Sequence, residues 1–95
     1  MNKEEFKAKA KQKIDEVSAK INELKAERAA AKEDSKSDYD EALKELESKK
    51  SELDNKYTEL ENAADDKWEE VKATFLSASN SFEEGFSKLK PLFKK

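Results

Sequence analysis

The sequence predicts an all-α protein, a coiled coil or antiparallel helical bundle. Two arrangements fit: three helices packed together, or a long helix with a shorter C-terminal helix folded back on it. Three observations carry this. Apolar positions recur every three or four residues from Phe6 to Phe93, close to one per 3.6 residues, which is the α-helical period. Charged residues make up 45% of the chain, and the fill between apolar positions is mainly Ala, Lys, Glu and Leu, all strong helix formers. A single Gly and a single Pro in 95 residues leave too few turn residues for a sandwich or barrel. No stretch alternates with period two, so no strand is expected.

The chain reads as one helical domain, residues 1–95, in three approximate segments. The first, 3–33, carries Phe6, Ala10, Ile14, Val17, Ile21 and Leu24, then weakens into Ala29–Ala31. Asp34-Ser35-Lys36-Ser37-Asp38 is the strongest turn candidate, and Asp38-x-x-Glu41 has the form of a capping box. The second segment, 38–62, carries Tyr39, Ala42, Leu46, Leu53, Tyr57 and Leu60, with the three leucines seven apart. Glu61 to Asp66 is the second turn candidate, its acids suited to a helix start before Trp68. The third segment, 66–90, carries Trp68, Val71, Phe75, Ala78, Phe82, Phe86 and Leu89, with Phe93 beyond. Unbroken phase favours few breaks; equal thirds favour both. The pattern alone leaves open whether the chain turns at 34–38, at 61–66 or at both.

Local features add detail. Gly85 costs about 1 kcal/mol relative to Ala in a helix, so it marks either a close approach or a frayed end. Pro91 is expected to stop the last helix near Lys90, and Ser77 to Ser81 to be a soft stretch. Lys follows an acid at i+4 in Glu5–Lys9, Glu16–Lys20, Asp40–Lys44, Glu45–Lys49, Glu52–Lys56 and Glu84–Lys88. Each such pair stabilises a helix by about 0.2–0.5 kcal/mol.

Net charge is −3, but it is unevenly spread. Residues 1–32 carry nine Lys/Arg against six Asp/Glu, residues 33–70 six against fifteen, and residues 71–95 five against two. This basic–acidic–basic order fits outer thirds lying beside the middle third. Each surface pair contributes only about 0–1 kcal/mol, so the pattern selects orientation more than it supplies stability.

The same composition excludes much chemistry. Without Cys there is no disulfide or thiol chemistry; without His the commonest general base and transition-metal ligand are gone. One Gly permits no phosphate-cradling loop. The carboxylates fall mainly between apolar positions and read as a solvated face. No catalytic residue, metal ligand or cofactor is expected, and the protein is read as not an enzyme. The acidic balance argues against nucleic acid as a partner. The chain shows no signal peptide and no apolar run long enough to span a membrane, so a cytoplasmic protein is expected.

A narrow apolar stripe on so polar a chain must meet another helix. The expected core or interface is Ile14, Val17, Ile21, Leu24, Leu46, Leu53, Leu60, Trp68, Val71, Phe75, Phe82, Phe86 and Leu89. The expected partner is a second copy, a dimer ahead of other orders, or another helical protein. The expected function is non-enzymatic, through helix–helix association. An alternative uses the basic, aromatic end of the chain: Phe86, Lys88, Lys90, Phe93, Lys94 and Lys95 would contact a partner or lie reversibly on a membrane surface.

Lys3-Glu4-Glu5-Phe6, Tyr39 after a Lys/Ala-rich run, Leu43 to Leu60 with Lys/Glu spacers, and Trp68-Glu69-Glu70-Val71-Lys72 leading to Phe75, Phe82 and Phe86 together resemble a family. It is that of small bacterial coiled-coil proteins labelled stress-response proteins. The resemblance covers nearly the whole chain, the Trp68 stretch being its most specific part. Where that family often has a second Trp in the tail, this chain has Ser79. The resemblance implies a helical, coiled-coil, non-enzymatic protein linked to stress.

Overall fold

Asn2 starts the first helix. Its side-chain oxygen accepts from the Glu5 backbone N–H at 2.8 Å, and the Glu5 carboxylate accepts from the Asn2 backbone N–H at 3.2 Å. Two orphan donors are thereby satisfied reciprocally. In the computed structural model, which describes the backbone of residues 2–93 and the side chains of residues 2–89, three helices follow: α1 (Lys3–Ala30), α2 (Lys36–Asn62) and α3 (Trp68–Phe93). No strand occurs among the described residues.

The chain turns at both candidate sites, so the long-helix arrangement is not the one adopted. The two turns share one design. Each helix ends on extended backbone, at Ala31 and Ala63, and a single 3-10 turn led by acids follows, Glu33–Ser35 and Asp65–Lys67. Each turn is closed by one backbone bond of 2.9 Å, from the Ser35 N–H to Lys32 and from the Lys67 N–H to Ala64. The first reversal lies slightly earlier than 34–38. Ala29 and Ala30 remain helical and Ala31 is the C-cap, so the demand to reverse overrides alanine's propensity. The expected capping box at Asp38 is not formed: α2 begins at Lys36, and Asp38 sits inside its first turn. There its charge faces the positive end of the helix dipole.

The result is an up-down-up bundle measuring 51 × 17 × 17 Å. One core runs its length. Phe6, Ala10, Val17, Ile21 and Leu24 come from α1, Tyr39, Ala42, Leu43, Leu46, Leu53 and Leu60 from α2, and Trp68, Phe75, Ala78 and Phe82 from α3. The stripe therefore finds its covering helices within its own chain. Helix α2 lies between the other two and packs closely on both, whereas α1 and α3 meet much less. At one end Phe6 stands edge-on to Trp68 (centroids 5.9 Å, 86°) and to Phe75 (6.1 Å, 80°). Such edge-to-face pairs contribute about 0.5–1.5 kcal/mol beyond area burial.

Two local expectations change, and the serine-rich stretch between them is helical throughout. Helix α3 continues through Pro91 to Phe93. Pro91 falls in the last turn, where the N–H it lacks removes one intrahelical bond. The Ser77–Ser81 stretch is continuous helix, with Ala78 and Ser79 buried and Ser81 accepting a hydrogen bond from Lys49 Nζ at 2.9 Å. None of the six acid-first i+4 pairs is closed. Lys20 turns to Glu83, Lys49 to Ser81 and Lys56 to Glu59, while the i+4 pairs that do form, Lys11–Asp15 and Lys50–Asp54, run in the reverse order. Contributions of a few tenths of a kcal/mol do not hold long side chains against cross-helix or i+3 partners.

Gly85 marks a close approach. A Cβ built there would lie 3.0 Å from Lys49 Cε and 3.3 Å from its Cδ. The Lys49 stem of α2 crosses α3 at this point on its way to Ser81. The far end of a lysine moves easily, so Gly85→Ala should keep most of the helix-propensity gain of about 1 kcal/mol. We expect a net stabilisation of roughly 0.5 kcal/mol, read from the guanidinium unfolding midpoint; a loss of about 1 kcal/mol would show that Lys49 is held rigidly.

Candidate functional site

The charge pattern acts where α1 is involved. Arg28 pairs with Asp40 across the first reversal, its Nη2 donating at 3.2 Å, and Lys25 meets Glu47 at 3.2 Å. The Arg28 hydrogen bond holds the Asp40 carboxyl below the usual carboxylate range. At the other end Lys3 pairs with Asp65 and lies over the Trp68 ring. Among the described residues no ion pair joins α2 to α3, which are held by apolar packing.

The α1–α3 seam is different. At its middle, Lys13 and Lys20 of α1 converge on Glu83 of α3, at 3.2 and 2.8 Å. Residues 13 and 20 are two turns apart on one helix face, so a single carboxylate bridges both. Lys20 also lies 5.1 Å from the centroid of the Phe86 ring, which stacks on Phe82. The Lys20 hydrogen bond, with Lys13 behind it, holds the Glu83 carboxyl below its ordinary value of 4.5. A depressed carboxylate stabilises the fold at neutral pH and loses that contribution as pH falls below this value. Glu83 is partly exposed, so Glu83→Gln should cost only about 0.5–1 kcal/mol at pH 7. Chemical denaturation at two pH values checks this: the gap between parent and variant should narrow as pH falls below the ordinary carboxylate value, and an equal gap at both would exclude an ionic clasp.

Between this clasp and the Phe6 end, the seam opens into a hollow of about 270 Å³ lined by Phe6, Lys9, Ala10, Lys13, Phe75, Leu76 and Ser79. It exists because the helices face each other there with small side chains, Ala10 and Ser79. Phe6 and Phe75 form the apolar floor. Leu76 stands at the wall, 46% exposed, the one large hydrophobic residue exposed among the described residues. The two charged residues lining the hollow are both lysines.

The sequence-selected residues divide as follows. Val17, Ile21, Leu24, Leu46, Leu53, Leu60, Trp68, Phe75 and Phe82 are buried; Ile14, Val71, Phe86 and Leu89 are half-buried against the same core. Lys88 is exposed. The side chains of Lys90 and Phe93, and all of Lys94 and Lys95, lie outside the described residues. Trp68, Phe75 and Phe82 point into the bundle, so a membrane surface could reach them only if the bundle opened. Among the described residues no helix is long and apolar enough to cross a membrane, and no group of three acids is placed to hold a metal.

Leu43, Ser79, Leu76 and Glu83 lie off the apolar phase. Leu43 and Leu76 each follow a stripe residue directly. The first is buried because α2 has a close neighbour on both sides, the second exposed because the α1–α3 seam is open. Comparison with known proteins returns no match: no family model, no curated protein and no solved structure is similar to this chain.

Proposed function

We propose that this is a non-enzymatic binding protein that acts by helix–helix association, with the open α1–α3 seam as its working face. The observation that carries the reading is the apolar hollow between α1 and α3 with Leu76 exposed at its wall. Hollows of about 280 and 320 Å³ also lie beside α2, but charged and polar side chains make up most of their linings and neither holds an exposed large hydrophobic residue. A groove between two helices is the usual receptor for the apolar ridge of an amphipathic helix. Apart from the half-buried Asp54 and Glu83 the acids are exposed, and the sequence holds neither His nor Cys, which supports binding over catalysis. A stress-linked role in a bacterial cytoplasm belongs to the same proposal and rests on the sequence resemblance.

Site-specific photo-cross-linking in living cells tests it. A benzophenone side chain at position 76 should trap a protein partner, while the same group at the exposed position 51 of α2 should not. Equal trapping at both positions, or none at position 76 in folded protein, would overturn the reading.

A further inference from the structure

We infer that the α1–α3 hollow receives an acidic amphipathic helix from a different protein, and that Lys9 and Lys13 select its charge. The inference rests on the docking reading above and adds the partner's chemistry.

The size of the hollow comes first. At about 270 Å³ it falls below the usual 300–1,000 Å³ of small-molecule pockets. It is open along its length and bounded by two helices, and its apolar floor spans about one turn of each, from Phe6 to Ala10 and from Phe75 to Ser79. That suits one or two anchor side chains, Leu or Phe, presented at i and i+4 by a helix lying in the seam.

Charge comes second. Lys9 and Lys13 are one turn apart on the α1 rim, so an incoming helix with acids one turn apart can meet both. Lys9 is exposed and has no acid partner among the described residues. Lys13 meets Glu16 at 3.8 Å and shares Glu83 with the closer Lys20, so it can turn to a partner without leaving Glu83 uncompensated. Outside the lining, Lys72 of α3 lies 5.6 Å from the Phe6 ring centroid and pairs with Glu69 at 4.0 Å.

A second copy fits poorly. Among the described residues the exposed large apolar side chain of this chain is Leu76, which already belongs to the hollow. Two copies meeting by this face would bring Lys9 and Lys13 against their counterparts, and the exposed face of α2, though acidic, presents no apolar ridge. The partner must supply both the anchors and the acids.

The test uses the full chain and two fluorescein-labelled synthetic peptides. Both are 18-residue helices with the same Leu ridge, one flanked by Glu and its twin by Lys, and binding is read by fluorescence anisotropy. The acidic peptide should bind about tenfold more tightly than its twin, as two reversed charge contacts would give, and the difference should shrink as salt rises. Lys9→Glu, at an exposed position that leaves the fold intact by circular dichroism, should narrow or invert the preference. Leu76→Asp should abolish binding of both peptides. Equal binding of the two, unaffected by Lys9→Glu, overturns the acidic partner and leaves helix docking standing. Binding of neither peptide overturns both readings, as does binding of dodecanoate with no binding of either helix.

Discussion

Phe82→Ala should destabilise the bundle by about 3–5 kcal/mol, at the upper part of the range for emptying a core position. Phe82 has no exposed surface and is the largest such side chain among the described residues. Its neighbours one turn away on the buried face of α3 are Ala78, Ser79, Gly85 and Phe86. Three of these are too small to move into the space left behind. Phe86 could follow, but it stacks on the ring being removed, at 6.2 Å and 12°, and is held on its other side by Lys20. Domains of this size have about 5–15 kcal/mol of total stability, so the variant should keep a folded state near its limit. Each kcal/mol lost lowers the midpoint by roughly 4–8 °C in a domain of 60–100 residues. Thermal unfolding followed at 222 nm reads the change directly. A loss of less than about 1 kcal/mol would place Phe82 outside the core.

Phe82 also shows what the sequence makes legible. Val17, Leu53 and Phe82 lie on the phase defined by local spacing, and that phase needs no knowledge of neighbours: a helix so patterned buries those positions or fails. The all-α class follows from the same fact. What surrounds each helix is not local. Leu43 and Leu76 occupy the same place relative to the stripe, and only the crowding of α2 and the openness beside α3 separate their fates. Reversal at Ala31 could not be read from propensity, because alanine continues a helix until folding back of the chain requires it to stop. Glu83 looks like any solvated acid until α1 is laid beside α3 and brings Lys13 and Lys20 to it. The site is thus made of residues whose meaning comes from an unequal packing of three helices, which composition and period do not encode.

The same inequality makes the middle of α2 the most sensitive point of the fold. Between Leu46 and Leu60 the fully buried apolar side chain of α2 is Leu53, at 0% exposure; half-buried around it along the helix are Lys49, Lys50, Asp54, Lys56 and Tyr57, the last packed on the same core. Helix α2 holds both other helices, so losing this contact loosens both seams together. Leu53→Asp should therefore unfold the protein at neutral pH. A buried, unpaired carboxylate costs several kcal/mol on top of the lost leucine, and its attraction to Lys49 or Lys50 would require those ammonium groups to leave water as well. The sign with pH follows from linkage. Burial raises the folded-state value of the introduced carboxyl above its unfolded value, so the penalty is full above the folded value and is relieved as pH falls through it. Helicity should then recover in part on mild acidification, before the Glu83 clasp is lost. Leu53→Asn, which has similar size and polarity but no charge, should show no such recovery. Circular dichroism of the two variants between pH 7 and pH 4.5 separates the cases. A Leu53→Asp protein that stays folded at pH 7 would mean that α2 is not the element on which the other two helices depend.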